Sequence, residues 1–251
     1  MTELTNLAAL ITGSNRGIGA GVARAFAAEG ASVVINYPNA GSASEAHALC
    51  ATIEAQGGTA MSIEADVTQP AAVESMIATT IESFGQLDIL VNNAGIAHAA
   101  PVEDIDVERW DSIMAVHVRG TFLSCKYALP HMYQRGSGRI INTASQLAYL
   151  GAAGFSHYTA AKGAIVSFTR SLALEAAPRG VGVNAVAPGA TRTAILEDVP
   201  EGILEGIRKS IPLGRLAEVE DIVPSYVFLA SEKARHYVGQ VISPNGGDVF
   251  L

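Results

Sequence analysis

Eight residues, Thr12-Gly13-Ser14-Asn15-Arg16-Gly17-Ile18-Gly19, decide the fold, because they join a short apolar run to a long alanine-rich one. The run Ala8–Ile11 predicts a strand, and residues Ile18–Glu29 predict a helix. Glycine lets the backbone turn tightly and approach a phosphate group, which then meets the free N–H groups of the helix. The spacing is G-x-x-x-G-x-G rather than G-x-G-x-x-G, and an ordinary glycine-rich turn is the alternative. We expect a dinucleotide to bind through Gly13, Ser14, Asn15, Arg16, Gly17, Ile18 and Gly19.

Short β-branched runs and longer alanine-rich stretches alternate along the whole chain. Seven runs predict strands, namely Ala8–Ile11, Ser32–Ile35, Ala60–Ile63, Ile89–Val91, Gly138–Asn142, Gly182–Val186 and Gln240–Ile242. Early helices are expected at Ile18–Glu29, Ser42–Gln56 and Ala71–Phe84. Strands that alternate with helices form a parallel sheet covered on both faces, so the expected fold class is α/β. No linker or repeat divides residues 1–251, and we expect one domain.

Glycine and proline set the expected ends of several helices. Gly30 and Gly85 directly follow helical stretches, where a left-handed glycine commonly ends a helix. A further helix is expected from Trp110 through Tyr127, and Pro130 is expected to kink or end it.

The composition indicates a protein of small-molecule chemistry. Of 251 residues, 49% are hydrophobic, and the formal net charge is -8. An acidic exterior repels phosphate backbones and anionic lipids, so we expect neither a nucleic-acid nor a membrane partner. Cys50 and Cys125 stand far apart and the six histidines lack paired ligand spacing, so neither a disulfide framework nor a metal site is expected. Because no signal-like or membrane-spanning run occurs, we expect a cytoplasmic location.

The residues after the second strand bear on which dinucleotide binds. An acid about 20 residues beyond the glycines would accept a hydrogen bond from the 2′-hydroxyl of NAD. No acid occurs between Glu29 and Glu45. The strand instead ends in Asn36-Tyr37, and Arg16 in the glycine turn offers a planar guanidinium that suits a 2′-phosphate. NADP(H) is therefore preferred over NAD(H), with Arg16 as a merely solvated turn residue left as the alternative.

Two further loops follow predicted strands. Ala65-Asp66-Val67 comes after the third strand, where the Asp66 carboxylate either accepts from an adenine amino group or caps the next turn. Asn92-Asn93-Ala94-Gly95 comes after the fourth strand, and asparagine with glycine is typical of a left-handed turn. The residues expected to border the cofactor here are Asp66, Val67, Asn93, Ala94 and Gly95.

Tyr158 and Lys162 are four residues apart, which places them on one face of a helix. An ammonium beside a phenol favours the tyrosinate and draws the pKa of the phenol from about 10 toward neutrality. Such a pair can run acid/base chemistry on a carbonyl without a metal ion. The alternative is a solvated lysine beside a half-buried tyrosine. For Ser145, thirteen residues upstream of Tyr158, the alternative is a hydroxyl that serves the local backbone.

Taken in order, these motifs resemble those of the classical short-chain dehydrogenase/reductase family over essentially the whole chain. The resemblance rests on the Thr12–Gly19 turn, Asp66, Asn92–Gly95, Ser145, Tyr158-Thr159-Ala160-Ala161-Lys162, Pro188-Gly189 with Thr193, and Asn245-Gly246-Gly247. It implies a single Rossmann-type doubly wound domain with a seven-stranded parallel sheet, assembled as a homotetramer. The cofactor half would span about residues 1–140, and the catalytic and substrate half about 141–251. It also implies nicotinamide-dependent interconversion of an alcohol and a carbonyl.

The resemblance assigns a role to each catalytic residue. Tyr158 is the general acid in reduction and the general base in oxidation. Lys162 lowers the pKa of Tyr158 and holds the ribose of the nicotinamide. Ser145 donates a hydrogen bond to the same substrate oxygen, in the manner of an oxyanion site. The residues that border the nicotinamide and the diphosphate are Pro188, Gly189, Thr191 and Thr193.

One position departs from the family pattern. In Val116-His117-Val118-Arg119-Gly120-Thr121-Phe122, His117 stands where the family has an asparagine that helps hold a water joining the lysine to a proton relay. That asparagine acts largely through its backbone carbonyl, which a histidine retains. His117 is therefore either a relay residue, titrating at about 6.5 when unperturbed, or a packed core histidine.

The segment Arg192–Leu213 is expected to cover the active site with an apolar face. Gln146, Tyr149 and Leu196 are expected to line a substrate pocket with few charged groups, which suits a neutral or modestly polar ketone. The leading hypothesis is an NADP(H)-dependent reductase of a ketone or a 3-oxoacyl-like carbonyl. Two alternatives stay open: an NAD-dependent sugar or secondary-alcohol dehydrogenase, and a non-catalytic dinucleotide-sensing module.

Overall fold

The structure, a computed structural model, describes residues 2–196, 199 and 201–250. Within that part of the chain a single sheet contains β1 Ala8–Ile11, β2 Ser32–Tyr37, β3 Thr59–Glu64, β4 Ile89–Asn92, β5 Gly138–Thr143, β6 Val181–Val186 and β7 Val241–Ile242. The strand order is β3-β2-β1-β4-β5-β6-β7, and every neighbouring pair is parallel. The predicted α/β class and all seven predicted strands are confirmed.

The helices cover both faces of the sheet. They are α1 Gly17–Ala28, α2 Ala43–Ala55, α3 Pro70–Phe84, α4 Val107–Met114, α5 Gly120–Arg135, α6 Leu147–Leu150, α7 Ser156–Ala176, α8 Glu201–Ser210 and α9 Val219–Ala230. One hydrophobic core joins α1, α2 and α9 to one face, and a second joins α3, α5 and α7 to the other. Successive strand residues alternate between the two, as Ile11 and Leu10 of β1 do, because side chains alternate across a strand. None of the helices described here is both long and apolar enough to cross a membrane.

The strand order changes direction between β1 and β4. From β1 the chain adds strands outward to β2 and β3, then returns to add β4 on the other side. Connections therefore leave β1 and β4 in opposite directions at their carboxyl ends, and a crevice opens between them. Thr12 follows β1 and Asn93 follows β4, so the glycine turn and the Asn92–Gly95 loop face each other at this switch point.

Two helices end at or beside the glycines that were predicted to end them, whereas the predicted break at Pro130 is not observed as a helix end. Gly85 ends α3 with a φ of 73°, and Gly30 follows α1 with a φ of 91°, as predicted. The expectation that Pro130 kinks or ends its helix fails in part, because α5 continues to Arg135 and ends at Gly136. Leu129 and Met132 on either side of the proline are buried in the core, and their burial offsets the one lost hydrogen bond.

The interruption in this helical stretch lies upstream of Pro130. A π-helical turn over Ala115–Arg119 separates α4 from α5, and the Gly120 N–H reaches back to the Ala115 carbonyl. A π-turn inserts an extra residue into the hydrogen-bond ladder, a feature common at functional sites. His117 lies at the centre of this turn.

Candidate active site

The glycine turn ends β1 and begins α1. Gly13 and Gly17 adopt left-handed φ angles of 58° and 59°, a region that glycine enters without steric cost. α1 begins with no side-chain cap and no acid in its first turn, so its first N–H groups are free to face an anion. A Cβ atom on Gly19 would lie 2.5 Å from Asn93 Nδ2, so a side chain has no room there. This cradle fits a diphosphate group.

Hydrogen bonds to the loop after β4 hold the glycine turn in place. The Thr12 hydroxyl accepts from the N–H groups of Asn93 and Ala94, each at 3.0 Å. The Asn93 side-chain amide donates to the carbonyl oxygens of Thr12 and Gly13, at 3.0 and 2.9 Å. The predicted border residues Asn93 and Ala94 therefore lie directly against the turn, and Asn93 also lies close to Gly19 at the start of α1.

The two residues at the end of β2, Asn36 and Tyr37, are both buried. Asn36 is 1% exposed, its Oδ1 atom accepts from the Gly13 N–H at 3.0 Å, and its amide donates to the Ala65 carbonyl at 3.0 Å. Its side chain therefore shapes the glycine turn, and contact of Asn36 with a cofactor stays a prediction. Tyr37 is also buried, and its ring packs edge-on against His47 of α2 with 6.1 Å between centroids.

Asp66 and Val67 lie after β3. The Asp66 carboxylate accepts from the Thr68 N–H at 2.8 Å, so the turn-capping alternative is present. Contact with an adenine amino group stays a prediction. Val67 is buried against Gly120, where an added Cβ atom would come within 3.0 Å of the valine methyl group.

The three predicted catalytic side chains come together at the carboxyl edge of the sheet. Lys162 is buried, and its Nζ atom lies 5.6 Å from the centroid of the Tyr158 ring. The same Nζ atom donates to the Thr143 carbonyl at the end of β5, at 2.7 Å. Ser145, two residues later, contacts the Tyr158 phenol, and its hydroxyl accepts from the Leu147 N–H at 3.1 Å. One helix and one strand end thus supply the whole set.

Burial sets the protonation of the pair. It raises the pKa of the Tyr158 phenol, and the hydrogen bond with Ser145 offsets part of that rise. Burial also lowers the pKa of Lys162 to about 7. The structure thus gives no sign that Lys162 draws the phenol toward neutrality, as was expected from sequence. A phenol with a raised pKa keeps its proton at neutral pH, the state that a general acid requires.

His117 is a packed histidine that fixes the loop after β4. It is 1% exposed, and its Nε2 atom lies 2.7 Å from the Ile96 carbonyl oxygen and 3.2 Å from the Ile96 nitrogen. An added Cβ atom on Gly95 would come within 2.6 Å of the imidazole, so this glycine makes room for the ring. Burial, and secondarily the charge of Lys162, lowers the pKa of His117 to about 3. Its ring meets that of Tyr158 edge-on, 5.4 Å between centroids.

The loop after β6 closes the crevice opposite the glycine turn. The Gly189 N–H donates to the Pro244 carbonyl at 3.0 Å, and the Thr191 hydroxyl donates to the Gly189 carbonyl at 2.9 Å. A Cβ atom on Gly17 would lie 3.7 Å from the Thr193 methyl group, so this loop reaches the start of α1. Pro188 follows directly after β6 and accepts from the Gln146 N–H at 3.0 Å.

The predicted substrate residues occupy different settings. Gln146 is 5% exposed, and its amide donates to Asp248 at 2.8 Å, while its Oε1 atom is buried with no partner among the described residues. The Tyr149 hydroxyl is likewise buried without a partner in that part of the chain. Leu196 ends a short helical turn that begins at Ala194. Of the expected covering segment, residues 197, 198 and 200 lie outside the described residues.

Sequence reasoning missed two contacts at this edge. Glu45 of α2 accepts from the Asn15 amide at 2.5 Å. The short connection between β2 and α2 was the one feature of the sequence that could have indicated this contact. His157 is buried beside Tyr158, with its Nε2 atom 2.8 Å from His98 Nδ1 on the loop after β4. No local pattern brings those two histidines together. Among the described residues, no group of three histidine, cysteine or acidic side chains is placed to hold a metal ion.

Known proteins are similar to this chain over nearly its whole length. A family model described as enoyl-(acyl carrier protein) reductase matches residues 13–248. The chain is 40% identical over 252 residues to the 3-oxoacyl-[acyl-carrier-protein] reductase of Synechocystis sp., covering 100% of each. A dehydrogenase/reductase structure from Sinorhizobium meliloti has a TM-score of 0.93 at 38% identity, covering 99% of this chain and 97% of that one. A short-chain dehydrogenase from Burkholderia cenocepacia in complex with NADP has a TM-score of 0.90 at 35% identity, covering 98% and 99%.

The His117→Asn variant tests whether the imidazole relays protons. Because burial lowers the pKa of His117 to about 3, the ring stays neutral above about pH 5.5 and contributes no inflection to the pH–rate profile in that range. We expect kcat within about tenfold of wild type and an unchanged pH–rate profile, since each tenfold in rate is about 1.4 kcal/mol. Loss of an inflection between about pH 6 and 7 together with a large fall in kcat would assign the relay to the imidazole.

Proposed function

The chain belongs to the classical short-chain dehydrogenase/reductase family, and we propose that it is an NADP(H)-dependent reductase that converts a 3-oxoacyl-type ketone into a secondary alcohol. The observation that carries the proposal is the meeting of Ser145, Tyr158 and Lys162 at the sheet edge that also bears the glycine turn. A dinucleotide-sensing module has no need of a protonated phenol beside a buried ammonium, so this set favours the enzyme.

The cofactor assignment rests on the crevice between β1 and β4. The glycine turn offers free N–H groups to a diphosphate, and Arg16 is exposed and forms no ion pair with any described residue. A guanidinium in this position suits a 2′-phosphate, and the Burkholderia cenocepacia relative is in complex with NADP. When bound, the nicotinamide supplies or accepts the hydride. NADP(H) is therefore our proposal, and NAD(H) is the alternative.

In reduction, the residues of this chain act on the carbonyl oxygen. Tyr158 donates its phenolic proton to that oxygen while the carbonyl carbon gains hydride. Ser145 donates a hydrogen bond to the same oxygen, where negative charge develops in the transition state. Lys162 places an ammonium near the tyrosinate that remains and stabilises it in a buried setting. Solvent then returns a proton to Tyr158, and we propose that the His117 backbone carbonyl holds a water on that route.

The substrate proposal rests on the relative from Synechocystis sp. and on the pocket. That relative is named for a 3-oxoacyl-[acyl-carrier-protein] substrate and matches this chain from end to end. Ile96, whose backbone meets the His117 imidazole beside Tyr158, has a side chain that is 37% exposed and offers apolar surface near the phenol, while Leu196 stays a predicted pocket residue. An NAD-dependent sugar or secondary-alcohol dehydrogenase is the alternative.

We also propose that the enzyme is a cytoplasmic homotetramer. The described Cys50 and Cys125 are both free thiols, as in a reducing compartment. Exposed apolar side chains lie along α4 and α5, with Val107 at 69%, Trp110 at 39% and Phe122 at 47% exposure. These helices line a groove of about 710 Å³, whose apolar lining residues include Met114, Val118 and Phe122. We propose that a second copy of this chain packs against these side chains and removes them from water.

Sedimentation velocity tests the assembly through Phe122→Glu. A carboxylate in an apolar interface costs several kcal/mol, so we expect the variant to sediment as a smaller species than the four-chain wild type. The control is Ile203→Glu on α8, where a side chain that is 57% exposed lies away from this groove. Equal sedimentation of wild type and Phe122→Glu would remove this face from the assembly.

The Tyr158→Phe variant tests the function itself, with NADPH and acetoacetyl-CoA as a small 3-oxoacyl thioester. Loss of the proton donor should lower kcat by about 10²-fold or more and leave NADPH binding in place. Tyr237→Phe, which removes a hydroxyl from an exposed ring, is the control and should keep wild-type turnover. A wild-type chain that binds NADPH but turns over no ketone would support the sensing module.

Ser145→Ala and Lys162→Ala should separate two roles. The serine acts on the substrate oxygen mainly in the transition state, so its loss should lower kcat by about 10²-fold and change NADPH affinity little. The lysine acts on both tyrosine and cofactor, so its loss should lower kcat and weaken NADPH binding together. Steady-state kinetics with NADPH fluorescence titration measure both effects. Wild-type turnover in either variant would remove that residue from the mechanism.

A further inference from the structure

Glu45 reaches the glycine turn from the first turn of α2. Its Oε2 atom accepts from the Asn15 side-chain amide at 2.5 Å, which joins the start of α2 to the glycine turn after β1. Residues 38–42 between β2 and α2 form a tight connection, in which Asn39 Oδ1 accepts from the Gly41 N–H at 3.0 Å. This connection turns the start of α2 back over the carboxyl end of β2, so an acid beyond the loop returns to the cofactor crevice.

Few side chains are free to face an adenosine ribose at this point. In a doubly wound sheet that ribose lies beside the carboxyl end of β2. Asn36 and Tyr37 at that end are buried, and Asn36 is engaged by backbone groups. Arg16 and Glu45 are exposed, and neither forms an ion pair with any described residue. One positive and one negative side chain therefore border the position that distinguishes NADP from NAD.

We propose that Glu45 is a specificity-determining residue that lowers the preference of this chain for NADP(H) over NAD(H). The inference rests on the proposed function, since it requires a dinucleotide on the glycine turn. Its carboxylate repels the 2′-phosphate that the Arg16 guanidinium would attract, and it occupies one of the two N–H donors of the Asn15 amide. A neutral 2′-hydroxyl meets no such repulsion and can itself donate to a carboxylate.

The effect is electrostatic and of modest size. A phosphate group carries about -1.5 to -2 charges at neutral pH, and a carboxylate a few ångströms away repels it. The Glu45 carboxylate is exposed, so water and salt weaken its repulsion of a phosphate group. We therefore expect Glu45 to change the NADPH affinity about fivefold at low salt. Repulsion of this kind fades as the screening length falls from about 10 Å at 0.1 M to about 3 Å at 1 M ionic strength.

Fluorescence titration with NADPH and with NADH, on wild type and Glu45→Gln, tests the inference. Glu45→Gln should tighten NADPH binding about fivefold and leave NADH binding unchanged or weaker. Competition by 2′,5′-ADP should tighten in parallel, while competition by 5′-ADP should not, because only the former carries a 2′-phosphate. The gain should shrink at 1 M salt. Glu54→Gln, at the exposed far end of the same helix, is the matched control and should change neither affinity.

Asn15→Ala separates charge from shape, because it breaks the contact with Glu45 and keeps the carboxylate. It should give no gain in NADPH affinity. An unchanged ratio of NADPH to NADH affinity in Glu45→Gln, an equal gain in Glu54→Gln, or a gain that persists at 1 M salt would overturn this inference alone. A wild-type chain that binds neither dinucleotide would overturn the proposed function and the inference with it.

Discussion

The rest of the site depends on the Thr12 hydroxyl, which ties the end of β1 to the loop after β4. It accepts from two N–H groups, those of Asn93 and Ala94, in a position that is 2% exposed. Without that oxygen these two part-buried N–H groups would lose their acceptor, at a cost below the about 1 to 3 kcal/mol of a fully buried unpaired group. Asn36 completes the constraint from β2 by accepting from the Gly13 N–H. The glycine turn is thus held from both sides before any ligand arrives, so binding need not order it.

The same loop links the cofactor end to the catalytic end. It begins on the Thr12 hydroxyl and continues through Gly95 to Ile96, whose backbone meets the His117 imidazole. The imidazole in turn packs edge-on against the Tyr158 ring. The histidine at this position therefore fixes the loop through a side-chain nitrogen. The π-helical turn that carries it gives the ring room to enter between Gly95 and Tyr158.

Patterns within short stretches of sequence predicted the strands, several helices and one helix end. Strand positions, the helices at Gly17–Ala28 and Pro70–Phe84, and the left-handed Gly85 follow from periodicity and backbone preference. The continuation of α5 past Pro130 depends on burial of its neighbours, which sequence spacing does not reveal. The burial of Asn36 and the return of Glu45 to Asn15 likewise depend on how three strands and a short loop pack. The hydrogen-bond partners of polar residues near the glycine turn were therefore the hardest feature to predict from the sequence.

The protonation of Tyr158 and Lys162 shows which state of the reaction the site favours. Burial disfavours charge on both groups, raising the pKa of the phenol and lowering that of the ammonium to about 7. At rest the phenol therefore keeps its proton, and the ammonium lacks an anionic partner among the described side chains. Because burial disfavours charge on each group, the resting site favours the neutral phenol, which is the protonation state that the proposed general acid requires.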